Sequence, residues 1–168
     1  DFSSLRDGDQ LVLIGETRGC MGASMYLREV LGREDGAPPP VDLAAERRAG
    51  DLVRSLIGDG KLSMAHDLSD GGLAAAAAET ALASNLGVKV VLDSTGAPLG
   101  QLFGEDQARY LVAAGDAEPI LAAAAAAGVS ARRVGTAGGD SFAVEGLFTT
   151  TLSDLRAIHE GWMPAFMA

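Results

Sequence analysis

The stretch His66-Asp67-Leu68-Ser69-Asp70-Gly71-Gly72-Leu73, followed directly by Ala74 to Ala78, decides how this chain is to be read. A short apolar segment precedes it and a helix-forming alanine tract follows it, so it marks a strand passing through a tight turn into a helix. The paired glycines stand where that helix opens. Backbone N–H groups there lack intrahelical partners and carry partial positive charge, and glycine lets another group approach them closely. The octapeptide thus sets an imidazole and two carboxylates beside anion-attracting amides. Spacing leaves two readings open. Ser69 or Asp70 caps the helix while the glycines permit tight strand–helix packing, or the amides hold a phosphate whose repulsion by Asp67 and Asp70 is relieved by Mg²⁺. His66 on its own reads as a hydrogen-bonded structural histidine rather than a general base.

Working outward, Gln10 to Gly15 is a short aliphatic run that reads as a buried strand. A glycine-punctuated loop from Glu16 to Ser24 leads to a helix near Met25 to Leu31. Gly32 to Pro40, with three successive prolines, is a loop. Asp42 is placed to cap a helix carrying Leu43, Arg47, Leu52, Val53, Leu56 and Ile57, which stops at Gly58-Asp59-Gly60. Lys61 to Ala65 reads as a strand, the alanine helix runs to about Asn85, and Gly87 to Leu92 is a β-branched strand. Ser94 to Leu99 reads as a turn region. Ala108 to Ala114 is another strand, and Asp116 caps a helix over 117–127. Val129 to Thr136 and Ser141 to Leu147 read as two strands of a hairpin turning at Ala137-Gly138-Gly139-Asp140. Thr151 to Asp154 opens a last helix with Leu155, Ile158 and Trp162. This order predicts an α+β (mixed α/β) fold: a mixed β-sheet with helices packed on it, since hairpin-like connections interrupt strict strand–helix alternation.

The 168 residues are 48% hydrophobic and carry 13 Lys and Arg against 23 Asp and Glu, a net charge of −10. That predicts one globular domain over 1–168 with a core of its own. Nothing clusters Lys and Arg as a nucleic-acid backbone requires, so no nucleic acid is expected as a partner. No apolar run approaches a membrane span, and no membrane association is expected. Cys20 is the only cysteine, which rules out an intrachain disulfide and suits a reducing, cytoplasmic compartment; it reads as a buried thiol. The chain begins at Asp1 rather than methionine, and the expectation is an excised piece of a larger polypeptide.

A second polar cluster lies at Phe103-Gly104-Glu105-Asp106-Gln107-Ala108-Arg109-Tyr110, just before an apolar strand. A loop there would present Glu105 and Gln107 for hydrogen bonds to sugar hydroxyls or an amide. Arg109 could pair with phosphate or with Glu105. The plain alternative is a solvated loop with an Arg–Glu bridge. The Gly15 to Gly22 loop lacks the Gly-Lys-Ser or Gly-Lys-Thr of a P-loop; Glu16 and Ser24 are its weak ligand-contact candidates. His159 beside Glu160 reads as a surface residue. No residue is assigned a catalytic role.

In order and spacing, Leu11 to Thr17, the Pro-rich loop before Val41-Asp42-Leu43, His66 to Leu73, Leu102 to Arg109 and the last helix resemble one known family. The resemblance, over about residues 7–166, is to the C-terminal domain of phosphoribosylformylglycinamidine synthase, within the aminoimidazole ribonucleotide synthetase superfamily. It implies a C-terminal fragment of a longer multidomain enzyme, with a part in an ATP-dependent synthetase of purine biosynthesis. That enzyme converts formylglycinamide ribonucleotide, with ATP and glutamine-derived ammonia, to the amidine. ATP and Mg²⁺ are implied for the parent enzyme, with none certain for this fragment. The implied partners are the remaining domains of the same polypeptide, a glutaminase subunit and a small bridging subunit. Family enzymes contain two homologous halves. Asp67 matches a magnesium ligand of the first half, and Glu105-Asp106-Gln107 matches a substrate-binding Glu-Ser-Gln segment, with Asp106 in place of serine. The chain resembles the second half, so the resemblance implies an auxiliary or degenerate ligand site made of His66, Asp70, Gly71, Gly72, Glu105, Asp106, Gln107 and Arg109. It also implies that the isolated fragment is inactive. Beside it stands a second expectation, a stand-alone binding module for a phosphorylated nucleotide or sugar.

Overall fold

In the computed structural model, which describes residues 4–167, the elements follow in the order β1 (Gln10–Ile14), α1 (Met25–Leu31), α2 (Leu43–Gly58), β2 (Met64–Asp67), α3 (Gly72–Ser84), β3 (Val88–Val90), α4 (Pro98–Phe103), β4 (Tyr110–Ala114), α5 (Glu118–Ala126), β5 (Ala131–Ala137), β6 (Ser141–Val144), β7 (Phe148–Thr151) and α6 (Leu152–Met167). Asp1, on which the expectation of an excised piece rests, lies outside the described residues. The strands form one sheet in the order β2-β4-β1-β5-β3-β6-β7. Every pairing is antiparallel except β3 with β6, so the sheet is mixed, as the alternation of elements predicts.

Strand alternation divides the core between the two faces of the sheet. Leu11, Leu13, Met64, Leu111 and Ala113 point to one face, under the alanines of α3 and Leu102 of α4. Val12, Ile14, Val112 and Ala114 point to the other, against Leu52, Val53 and Leu56 of α2 and Ile120 of α5. Alanine serves α3 because small side chains bring its axis close to the sheet; Ala76, Ala77 and Ala81 are all buried. The apolar stripe of α2 is set by its start, where Asp42 Oδ1 accepts from the Ala44 and Ala45 N–H groups at 3.0 Å each.

Three sequence expectations are corrected. The segments 129–136 and 141–147 do not form a hairpin, because β3 lies between them, antiparallel to β5 and parallel to β6. Gly87 holds the wedge in place: its N–H donates to Gly139 O and its carbonyl accepts from Gly138 N–H, both at 2.8 Å. The true hairpin joins β6 to β7. Residues 98–103, expected as turn and loop, form the short helix α4, opened by Pro98 at its first turn. The strand expected over 61–65 runs instead over Met64–Asp67, which brings His66 and Asp67 into the sheet itself.

Candidate functional site

Because β1 and β2 both run antiparallel to β4, the loops after β1 and β2 and the loop before β4 meet at one end of the sheet. This convergence brings residues 15–24, 68–72 and 104–109 together. Glu105 Oε1 accepts from Met25 N–H and from Gly71 N–H, each at 2.9 Å. One carboxylate thereby joins the starts of α1 and α3, where helix amides need an acceptor. Neither Ser69 nor Asp70 caps α3, contrary to the capping reading: its N-cap is Gly71, without a side-chain cap bond, and both residues are exposed.

Asp106 does the same for the loop after β1. Its Oδ2 accepts from Arg18 N–H at 3.0 Å and Gly19 N–H at 2.8 Å, and Oδ1 from Cys20 N–H at 3.3 Å. Burial raises the Asp106 pKa, but the Cys20 thiol, these backbone donors and the charge of Arg109 outweigh it and hold the carboxyl below its ordinary value. The same contact, with burial, pushes the Cys20 thiol upward, so it is a poor nucleophile. Cys20 is half-buried rather than buried.

Arg109 does not form the expected bridge to Glu105. It is 2% exposed, and its guanidinium donates to Gly104 O at 2.5 Å, to Asp106 O at 3.0 Å and to Thr17 Oγ1 at 3.5 Å. Burial lowers its pKa while Asp106, with a carboxylate oxygen 4.0 Å away, opposes the shift. The glycines are likewise committed to packing. Gly72 has φ +63°, and a Cβ there would stand 2.5 Å from Gly104 O and 2.9 Å from Leu102 O. The start of α3 therefore lies directly on the end of α4, a closeness that serves chain packing.

The rest of the expected site is dispersed. His66 shares the α3 face of β2 with Met64, and its Nε2 lies 3.3 Å from Glu79 Oε2. Its Nδ1 is 2.5 Å from Asp67 O. Asp67 takes the opposite face, toward Tyr110, whose hydroxyl donates to Glu46 at 2.9 Å. Burial, Glu46 and the charge of Asp67 together raise the Tyr110 pKa. Asp67, Asp70 and Gln107 are exposed. Among the described residues no group of three His, Cys, Asp or Glu side chains could hold a metal ion. Gln107 borders a cleft of about 330 Å³ that also exposes Arg18, Asp42, Arg48 and Ser130. Glu16 lines it too, paired with Arg18, whereas Ser24 is buried as the cap of α1. His159 lines a second cleft with His66, Glu79 and Glu160, between β2, α3 and α6. Sequence reasoning missed Thr17, Met25 and Glu79: the first two act on residues 92 and 80 positions away, and Glu79 meets His66 only once α3 folds back over β2.

A family model described as AIR synthase related protein, C-terminal domain, matches residues 6–146. The phosphoribosylformylglycinamidine synthase subunit PurL of Caulobacter vibrioides is 57% identical over 167 residues, 99% of this chain and 23% of that protein. That of Rhodospirillum rubrum is 54% identical over 157 residues, 92% of this chain and 21% of that protein. The chain thus spans less than a quarter of the length of these relatives. Among solved structures, T. maritima PurL complexed with FGAR superposes with a TM-score of 0.76 at 21% identity, covering 92% of this chain and 29% of that one. The E. coli hydrogenase maturation protein HypE gives 0.63 at 22% identity over 90% of this chain and 51% of that one. At those identities the structural likeness is one of fold. No described helix is long and apolar enough to cross a membrane.

Proposed function

The chain belongs to the AIR synthase related protein, C-terminal domain family, and from that premise we propose that it is the last, second-half domain of a phosphoribosylformylglycinamidine synthase synthetase subunit. In this reading the whole polypeptide joins glutamine-derived ammonia to formylglycinamide ribonucleotide at the cost of ATP. Residues 1–168 form a domain that braces the catalytic assembly. The observation carrying this is the commitment of Glu105 and Asp106 to the backbone N–H groups of Met25 and Gly71, and of Arg18, Gly19 and Cys20. Of the roughly four acceptor sites a carboxylate offers, Asp106 gives three to amides and Glu105 gives two, both on Oε1, so each is held in the frame by the protein's own backbone. Within the segment that resembles a substrate-binding stretch, Gln107 is the exposed side chain, at the cleft that Asp106 also lines. The second-half site is therefore auxiliary or degenerate, and a stand-alone binding module loses most of its polar contacts.

Asp67 fits a magnesium role in part. Its carboxylate is exposed at the sheet end, and Mg²⁺ is commonly held by one or two carboxylates with phosphate oxygens and waters. Asp67 would supply one oxygen ligand, with Asp70 nearby in the chain, and the cation would offset their charge toward a phosphate. The glutaminase and small bridging subunits, and a cytoplasmic location, belong to the same proposal. Two assays test it. The 168-residue chain should show no ATP-dependent amidation. The polypeptide encoded by the whole reading frame, given ammonia, should turn over. Turnover by the 168 residues alone, or its absence in the longer polypeptide, would overturn the proposal.

A further inference from the structure

The first turns of α6 are anchored and the rest is not. Leu152 is buried, Leu155 packs on the core, and Arg156 donates to Leu82 O at 2.9 Å and to Asn85 Oδ1 at 3.3 Å. Beyond Glu160, the segment Gly161 to Met167 carries no charged residue. Ile158, Trp162 and Phe166 recur every fourth position and are 75%, 62% and 72% exposed, with Met163 and Met167 exposed beside them. The rings of Trp162 and Phe166 stack at 5.2 Å with their planes 10° apart, giving a flat apolar ledge. Pro164 lies inside the helix and has no N–H to give the Glu160 carbonyl, so the helix backbone is weakest under this ledge. Contiguous exposed apolar surface of this kind marks a contact site.

We propose that the outer half of α6 docks against another domain of the same longer polypeptide. Three observations select that occupant over a second copy of the chain. The family match ends at residue 146, so α6 lies beyond the shared domain, yet the match to the Caulobacter relative covers 99% of this chain and must include the helix. The helix is thus part of the long relative's polypeptide. More than three quarters of that relative lies outside the matched stretch, since the match takes 23% of it. Finally, pairing two copies would bring together bodies of net charge −10 each, whereas a tethered domain meets the ledge at high effective concentration.

This inference rests on the chain being one domain of a longer synthetase, and the test separates the two. Amide hydrogen exchange over residues 157–167 is compared in the 168-residue chain and in the polypeptide from the whole reading frame, with amidation assayed on the same sample. The helix should exchange about ten-fold or more slowly in the longer polypeptide. The double variant Trp162→Glu with Phe166→Glu should abolish that difference and leave the melting temperature of the 168-residue chain unchanged. Equal exchange in both proteins overturns the docking, as does protection in the 168-residue chain that grows with its concentration, the mark of a second copy. Turnover with an unprotected helix defeats the docking and spares the synthetase reading; a protected helix without turnover does the reverse.

Discussion

The segments 66–70 and 104–109 lie at the same end of the sheet, and both carry the residues by which the family is recognised, yet they are put to opposite uses. In 104–109 the charged side chains are committed: Glu105 to the starts of two helices, Asp106 to three consecutive amides of the loop after β1, and Arg109 to two carbonyls and a hydroxyl. In 66–70 the carboxylates of Asp67 and Asp70 are exposed. The difference teaches that a recognisable motif is not yet a site. Where backbone donors are already present, a carboxylate becomes part of the frame; where they are absent, it remains available to a cation or a neighbouring domain.

Substitutions can break that contrast. The largest effect is expected from Asp106→Ala, which strips three amides of their acceptor and leaves the buried Arg109 without its countercharge. Unfolding in urea should show a loss of about 3–5 kcal/mol. Asp106 also makes the frame acid-sensitive. Its carboxyl is held below the ordinary value of 3.8, so the unfolded chain takes up the proton first as pH falls. The stability it contributes is complete above the ordinary carboxylate range and is lost below about pH 4, as pH falls through the folded value. Melting temperatures from pH 6 to pH 3 should fall steeply in the wild type and less steeply in Asp106→Asn.

Gly72→Ala comes next. A positive φ alone costs a non-glycine residue about 1–3 kcal/mol, and the added Cβ presses on the carbonyls of Gly104 and Leu102. Glu105→Gln keeps an amide oxygen as acceptor but loses the charge facing two helix starts, and should cost about 1–2 kcal/mol by the same denaturation. The smallest effect sharpens the contrast from the other side. Asp67→Asn and Asp70→Asn, on exposed positions, should each move stability by no more than about 0.5 kcal/mol.

Much of the architecture was legible in the sequence. The aliphatic run of β1, the cap at Asp42 and the alanine helix α3 are local patterns, and the structure keeps them. Residues 137–140 do not close a hairpin because turn chemistry describes a connection and not what enters the sheet between its arms; β3 pairs there with residues 45 to 54 positions later in the sequence. The site was legible as a list and not as an arrangement. Glu105, Asp106, Gly71 and Gly72 all stand out in the sequence, but what they do depends on partners 30 to 88 residues away in the chain. Such pairings follow from strand order, which no local spacing encodes. Adjacent residues were also separated, since His66 and Asp67 leave β2 on opposite faces.

Glu105 and Asp106 hold the protein's own backbone. Residue-resolved amide exchange of Arg18, Gly19, Cys20, Met25 and Gly71 tests this most directly. In the wild-type chain all five should be protected. Glu105→Ala should release Met25 and Gly71 together while the other three stay protected, and Asp106→Ala should release Arg18, Gly19 and Cys20. Five amides that exchange freely in the wild type, or that are indifferent to both substitutions, would contradict it.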